Sequence, residues 1–405
     1  MTANKALKYD VVISGGGLSG LLAALSLSKI DREGGAPLSI AIVESSAINE
    51  NVDLTFDDRV LALSHGSAQY LMSIGAWQYL AAYAEPIQNI HISDKGHYGK
   101  ARIVAEKHSV EALGYVVELK LIGKALLEAL KSVENVSWYA PDHIVEVDWH
   151  KEQVDLLLSS QTPITAKLLL GCDGVSSKCR EFANISFEHT DYEQSALIAN
   201  VSTEHSHENI AYERFTEFGP IAMLPLSKSS DGQNRCSLVW TLPPEKAIEM
   251  SKIDESAFKS ALEGEFGQWL GKITYTGNRF SYPLVLMKAS EQTFHRMVLI
   301  GNASHTIHPI AGQGFNLGLR DVSELTKAIA SALNNSIDIG TLALLSEYAE
   351  NRSKDHKEVI QLTDSLVTLF SNQLPPMVVG RNIGLKVLNY INPIKRLLVK
   401  KTMGY

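Results

Sequence analysis

Apolar positions along this chain follow two spacings, and the change from one to the other marks out its elements. Asp10 to Ser14 is a short apolar run that reads as a buried strand. Leu18, Leu21, Leu22 and Leu25 then share one face of a helix. Ser39 to Val43 forms a second apolar strand and ends in Glu44. The segment that Arg59 opens carries Leu61, Leu71 and Trp77 and reads as helical. Gln88 to Val104 alternates like strands, with turn signals at Lys95-Gly96 and Tyr98-Gly99. Val116 to Leu130 returns to helical spacing, and Val145 to Leu157 and Ile164 to Leu170 read as strands. From Ala196 to Pro243 the texture is that of an antiparallel sheet, followed by a helical span near Asp254 to Leu270. Met297 to Ile300 is again a buried strand. It breaks into a loop holding Gly301, Pro309, Gly312 and Gly314, after which Val322, Leu325 and Ile329 resume helical spacing.

The order is therefore α/β, β, α/β and helix. At 405 residues the chain exceeds one compact core. The expected fold class is α/β: a Rossmann-like nucleotide-binding domain with an inserted antiparallel β-sheet domain and C-terminal helices. The expected nucleotide domain is discontinuous, over 1–85, 112–190 and 283–340. The sheet domain takes 86–111 and 191–282, and the helical region 341–405. A net charge of −8 argues against a nucleic-acid partner. Cys172, Cys179 and Cys236 give neither an even disulfide framework nor a zinc spacing, which points to a reducing, cytoplasmic setting. The few residues before the first strand leave no room for a transit peptide. Leu374 to Tyr405 is basic without an acid, through Arg381, Lys386, Lys395, Arg396, Lys400 and Lys401. Its Val379, Ile383, Val387 and Ile391 share a face. Such an end either lies on an anionic membrane surface or docks on the body with its lysines solvated.

The chemistry starts at the first turn. Gly15, Gly17 and Gly20 fit G-x-G-x-x-G between a strand and a helix, and Glu44 ends the next strand. Together they predict a dinucleotide site, and an acid at Glu44 favours NAD or FAD over NADP. No second such fingerprint follows. Asp173-Gly174 after a strand either orients a sugar hydroxyl or is an ordinary turn. The helix start after Gly314 offers backbone N–H groups to an anion or electron-rich ring edge. His305 and His308 have H-x-x-H spacing, but Pro309 makes a continuous helix and a metal pair improbable; no metal site is expected. No activated cysteine or Ser-His-Asp set is placed, so catalytic power would come from a bound cofactor.

Three motifs, in order, resemble the class A flavoprotein monooxygenases of the p-hydroxybenzoate hydroxylase type. They are Gly15 to Gly20, Gly171-Cys172-Asp173-Gly174 with Ser177 and Arg180, and Gly301-Asn302 leading to His308 through Asn316. The run HPIAGQGFNLG is similar to that of the ubiquinone-biosynthesis hydroxylases. The resemblance implies FAD as cofactor and NAD(P)H as co-substrate. Gly15, Gly17 and Gly20 would cradle the FAD pyrophosphate, and Glu44 would bind the adenosine ribose. Arg59 would contact the flavin; read from the sequence alone it is either a surface salt-bridge partner, the reading favoured there, or a cofactor contact. Asp173 belongs to a motif associated with FAD and NAD(P)H. Asn302 stands where most of the class has an aspartate on the ribityl chain. Pro309 to Asn316, with Gly312, Gln313 and Gly314, would lie along the isoalloxazine ring. Arg59, His308 and Pro309 are the residues expected at the chemistry.

The implied reaction hydroxylates a polyprenylated methoxyphenol with O2 through a flavin C4a-hydroperoxide. Ile221, Met223 and Leu224 are expected to form its dry pocket, and no general base for the phenol is evident. A prenylated substrate would give the basic tail a purpose at the inner membrane, alongside other ubiquinone-biosynthesis proteins. The competing readings are a subunit that holds FAD without catalysis, a hydroxylase for another ring position, and a reductase or halogenase on the same scaffold.

Overall fold

Leu7–Ser14 lies at the centre of the larger α/β half, parallel to Pro163–Gly171 on one side and to Ile40–Val43 on the other. Met297–Leu299 and Val136–Tyr139 continue the parallel order outward. In the computed structural model, which describes residues 6–32, 35–48, 59–307, 312–371 and 399–404, this sheet has eight strands. Parallel neighbours need crossovers that cover both faces, so the central strand is apolar without interruption. Val11, Val12 and Ile13 are accordingly all fully buried. On one face Leu21, Leu22 and Leu25 of the helix Leu18–Leu27 pack with Ile122, Leu126, Val322 and Ile329. A hairpin, Ile144–Trp149 and Val154–Leu158, joins the sheet antiparallel along Pro163–Gly171, and its Leu156 and Leu158 pack with Val12 and Leu169 on the other face.

The second sheet has nine strands among the described residues. Its backbone is the long strand Phe187–Thr203, antiparallel to Asn234–Leu242 and to Phe280–Ala289. Gly219–Leu226, Ile210–Thr216, Asn89–Asp94 and Lys100–Val104 follow in that order. One face packs on the helices Pro244–Lys252 and Glu255–Phe266, with Leu197, Ile221, Met223 and Trp240 against Phe258, Leu262 and Phe266. The sheet thus draws on both expected sheet segments, but Phe280–Ala289 and His305–Thr306 carry it past residue 282. Helix Leu342–Ser371 belongs to the expected helical region. No helix among the described residues is long and apolar enough to cross a membrane.

Two expected helices begin later than their apolar spacing suggests. Val60–Ser64 and Gly114–Glu118 are strands that pair antiparallel, and the helices start only at His65 and Leu119. Both runs are rich in residues that suit either state, and pairing with each other decides for the strand. The expected strand Val145 to Leu157 is two strands, divided where His150 closes a turn on Gln153.

Candidate active site

Three turns at the carboxyl ends of the central parallel strands converge on one space. The first follows Leu7–Ser14. A Cβ on Gly15 would stand 2.5 Å from the Cys172 carbonyl oxygen, and one on Gly20 would stand 1.9 Å from the Gly15 carbonyl oxygen. These two glycines let the turn close on itself. Gly17 differs, because a Cβ there meets no protein atom within 4 Å. It caps the helix Leu18–Leu27 without a side-chain hydrogen bond. That helix start, with open space before it, has the geometry that suits a phosphate. Glu44 fixes the turn's rim: its Oε2 accepts the Gly16 N–H at 2.6 Å and its Oε1 the Ser46 N–H at 2.8 Å.

The second turn follows Pro163–Gly171. Asp173 accepts the Ser177 hydroxyl at 2.6 Å and the Cys179 N–H at 3.0 Å. Arg180 is buried and donates to the carbonyls of Ala303 at 2.9 Å and Val175 at 2.7 Å. The Asp-Gly turn is thereby tied to the third turn, Gly301–Ala303. Cys172 and Gly174, rather than the Asp173 carboxylate, line the shared space. All three cysteines are buried free thiols.

The third turn exposes Asn302 to that space. Gly312 has φ +62° and caps the helix Gln313–Asn334 with Ala62 packed against it. Asn316 is almost fully buried. It accepts the Ser64 N–H at 2.8 Å and the Ser67 hydroxyl at 2.7 Å, and donates to the Ala62 and Gly312 carbonyls at 2.8 and 2.6 Å. Asn316 therefore clamps the strand Val60–Ser64 onto the helix start. Gln313 and Gly314 line the space in front of it. Arg59 lines it too, with its guanidinium 5.2 Å from the centre of the Tyr282 ring. His308, Pro309, Ile310 and Ala311 lie outside the described residues.

The space is a single cavity of about 1070 Å³ that runs from the Gly17 turn to the face of the second sheet opposite its helices. Strand alternation decides which residues of Gly219–Leu226 reach it. Leu224 does, together with Pro220 and Ala222. Ile221 and Met223 do not: they point to the opposite face and are fully buried against the sheet's helices. The expectation that these two form the pocket is corrected by that one-residue phase. At the far end Met403 and Gly404 complete the wall. Met403 accepts the Gly66 N–H at 2.8 Å through its carbonyl, and Val399 and Met403 pack on Ile103 and Leu113. The last residues of the tail are thus docked on the body, while 372–398 lie outside the described residues.

Behind the third turn His305, Asp321 and His356 form a buried group whose spacing could hold a metal ion. Asp321 already accepts the Arg352 Nε–H at 2.6 Å and bonds His356 Nε2 at 2.7 Å through the same oxygen. The guanidinium supplies the positive charge there, so the group reads as an ionic tie between the helices Gln313–Asn334 and Leu342–Ser371. Sequence reading found neither this tie nor the Asn316 clamp, since both join residues far apart in the chain. It also missed Glu213 on the cavity wall, although Glu213 falls in phase with the apolar Ala211 and Phe215.

The residues fit FAD. The open helix start at Gly17 suits its pyrophosphate, Glu44 suits a ribose, and Asn302, Gly312, Gln313 and Gly314 line the same cavity, with backbone at the glycines that a flat ring can approach closely. The family described as FAD binding domain matches residues 8–363. The ubiquinone hydroxylase UbiL of Rhodospirillum rubrum is 34% identical over 98% of this chain and 89% of its own. The ubiquinone biosynthesis monooxygenase COQ6 of Xenopus tropicalis is 30% identical over 96% of this chain and 92% of its own. The crystal structure of p-nitrophenol 4-monooxygenase PnpA from Pseudomonas putida shares the fold, with a TM-score of 0.77 at 18% identity over 98% of each chain. The chain belongs to the FAD-binding-domain family as a flavoprotein monooxygenase of the p-hydroxybenzoate hydroxylase-like fold. Within that family it is one of the ubiquinone-biosynthesis hydroxylases.

Proposed function

We propose that the chain hydroxylates the aromatic ring of a 2-polyprenyl-6-methoxyphenol in ubiquinone biosynthesis, using NAD(P)H and O2. The observation that carries this reading is a cavity that runs from the Gly17 helix start, past Asn302 and Gln313, to a largely apolar face of the second sheet. Bound FAD, reduced by NAD(P)H, supplies the activation of O2. The chain's own groups do the rest. The Gly17 turn and Glu44 anchor the nucleotide end. The start of the helix Gln313–Asn334 directs N–H groups at the cavity, where negative charge on the ring is stabilised. Pro220, Ala222 and Leu224 keep the reacting ring dry, which protects a reactive oxygen species from water. The relatives' names support the pathway, and the similarity of AYERFTEFGPIAMLPL to methoxyphenol hydroxylases supports the ring position.

One observation favours a second reading, a subunit that holds FAD without catalysis. Asn302 stands in the cavity with no charge where the resemblance expects an aspartate. Incubating the FAD-loaded protein with NADPH, O2 and a short-chain prenylated methoxyphenol separates the two. A product heavier by one oxygen is expected, and its proton spectrum identifies the ring position. Bound FAD without turnover supports the second reading.

We also propose that residues 374–398 bring the protein to an anionic membrane to collect its substrate. Vesicles containing phosphatidylglycerol should sediment the intact chain. Replacing Arg381, Lys386, Lys395 and Arg396 with glutamine should release it with FAD retained; unchanged sedimentation would count against the idea.

A further inference from the structure

Glu213 is a carboxylate on the largely apolar sheet wall of the cavity, where Ser237 and Thr241 are further polar side chains. It sits in the strand Ile210–Thr216, opposite Ala222 on one neighbour and Ile92 on the other. Tyr212 and Arg214 face the helices, where Arg214 donates to the Glu265 carbonyl at 3.0 Å. The pleat therefore turns Glu213 the other way, into the cavity, between Ala211 and Phe215. Among the described residues its carboxylate makes no hydrogen bond and no ion pair. The other ionisable residues on the cavity wall, among the described residues, are Arg59, Cys172, Tyr282, Arg320, Asp355, Glu358 and Lys401. The facing strands bring only Ile90, Ile92, Pro220, Ala222 and Leu224. A lone acid held this way costs stability, so its position needs a reason.

We propose that Glu213 is the catalytic base of the hydroxylation, receiving the proton of the substrate's phenolic O–H. The phenol O–H bond breaks as the Glu213 carboxylate takes the proton and becomes a neutral carboxyl. The electron pair left on oxygen enriches the ring carbon that attacks the electrophilic oxygen. As the new C–O bond forms, the O–O bond to that oxygen breaks. The proton this carbon loses on rearomatising goes to the oxygen left behind, which ends as water, and Glu213 returns its own proton to the product's ring oxygen. Burial pushes the Glu213 carboxyl up to about 7, with no charge opposing the shift. A base poised there is charged for part of the population at neutral pH and still strong enough to accept. The absence of partners is what the role requires, because the carboxylate's lone pairs stay open for the phenol.

This inference rests on the proposed phenol substrate, and the test separates the two. The FAD-loaded protein is titrated with a short-chain prenylated methoxyphenol and with its methyl ether, from pH 6 to pH 8. Affinity is read from the flavin absorbance change. A carboxylate accepts from the phenol but repels the ether's oxygen, whereas a neutral carboxyl donates to either. The wild-type preference for the phenol should therefore rise about tenfold across pH 7, in keeping with a hydrogen bond to a charged group. In Glu213→Gln the preference should be flat with pH, and Glu213→Asp should restore part of the rise. The hydroxylation rate should lose its rising limb near pH 7 in the glutamine variant. A Glu213→Gln protein that keeps the pH-dependent preference overturns this proposal alone. A wild-type protein that binds neither compound overturns the substrate reading, and this proposal with it.

Discussion

Single glycines do different work in the first turn, and substitution separates them. Gly20 to Ala places a methyl group 1.9 Å from the Gly15 carbonyl oxygen, inside the protein itself. The expected cost is about 2 kcal/mol or more of stability, with loss of FAD as a consequence. Gly17 to Ala meets no protein atom, and its φ of −72° is ordinary for alanine. The apoprotein's urea midpoint should then stay close to that of wild type, while the FAD dissociation constant rises at least tenfold. Equal FAD affinity in the two proteins would show that the Gly17 helix start does not hold the phosphates. Asn302 offers the converse test. A hydrogen bond to a charged acceptor exceeds a neutral one by about 1 kcal/mol, so Asn302→Asp should tighten FAD about fivefold. Fluorescence recovery on FAD release measures it, and unchanged affinity would mean Asn302 does not meet the cofactor.

The helices Gln313–Asn334 and Leu342–Ser371 are joined by charge as well as packing, and that joint should respond to pH. His305 is fully enclosed, and burial holds its imidazole down at about 4. The groups facing it are Asp321, His356, Arg352 and Arg320. Burial opposes the charge on Asp321, but His356, His305 and Arg352 outweigh it and hold the carboxyl well below its usual range. An unfolded histidine gains its proton below about 6.5. Between pH 6.5 and 4 the unfolded chain therefore binds more protons at His305, and stability falls as pH falls through that window. His305→Gln should remove about 1–2 kcal/mol of the loss seen between pH 7 and pH 5 in urea unfolding. An unchanged pH slope would mean that His305 is not held neutral. None of this joint was legible beforehand, because Asp321, Arg352 and His356 lie far apart along the chain or one helical turn from unremarkable neighbours. What could be read were elements with a strong local signature: the Gly15 to Gly20 turn, the sheet between Ala196 and Pro243, and the strand–turn–helix around Gly312. The strands Val60–Ser64 and Gly114–Glu118 were hidden because only their mutual pairing selects them over helix. The phase of Gly219–Leu226 was hidden because Ile221, Met223 and Leu224 are all apolar, so hydropathy does not say which face is dry core and which is cavity.

The molecule as a whole is one slot between two sheets, and the end of the chain helps to close it. Val399 and Met403 pack on Ile103 of the second sheet's edge strand and on Leu113 just before the strand Gly114–Glu118. Lys401 pairs with Glu358 at 2.7 Å, and Met403 and Gly404 face the cavity. A reaction that generates a reactive oxygen species needs such a closure, because water that enters diverts the oxygen to peroxide. Val399 is almost wholly buried, so Val399→Asp would place an unpaired charge in that seam at a cost of several kcal/mol to local docking. The nucleotide turns lie elsewhere in the fold, so FAD content should stay at the wild-type level. NADPH oxidation should continue, but the hydrogen peroxide formed per NADPH should rise and the hydroxylated product should fall. A Val399→Asp protein that remains fully coupled would show that the slot is sealed without the chain's last turn. The same comparison bears on how substrate enters, since residues 374–398, the basic segment proposed to meet the membrane, lead directly into this seal. Vesicle binding that raises peroxide formation in the absence of substrate would mean that docking loosens the seal, and that the wall residues open where the prenyl chain is delivered.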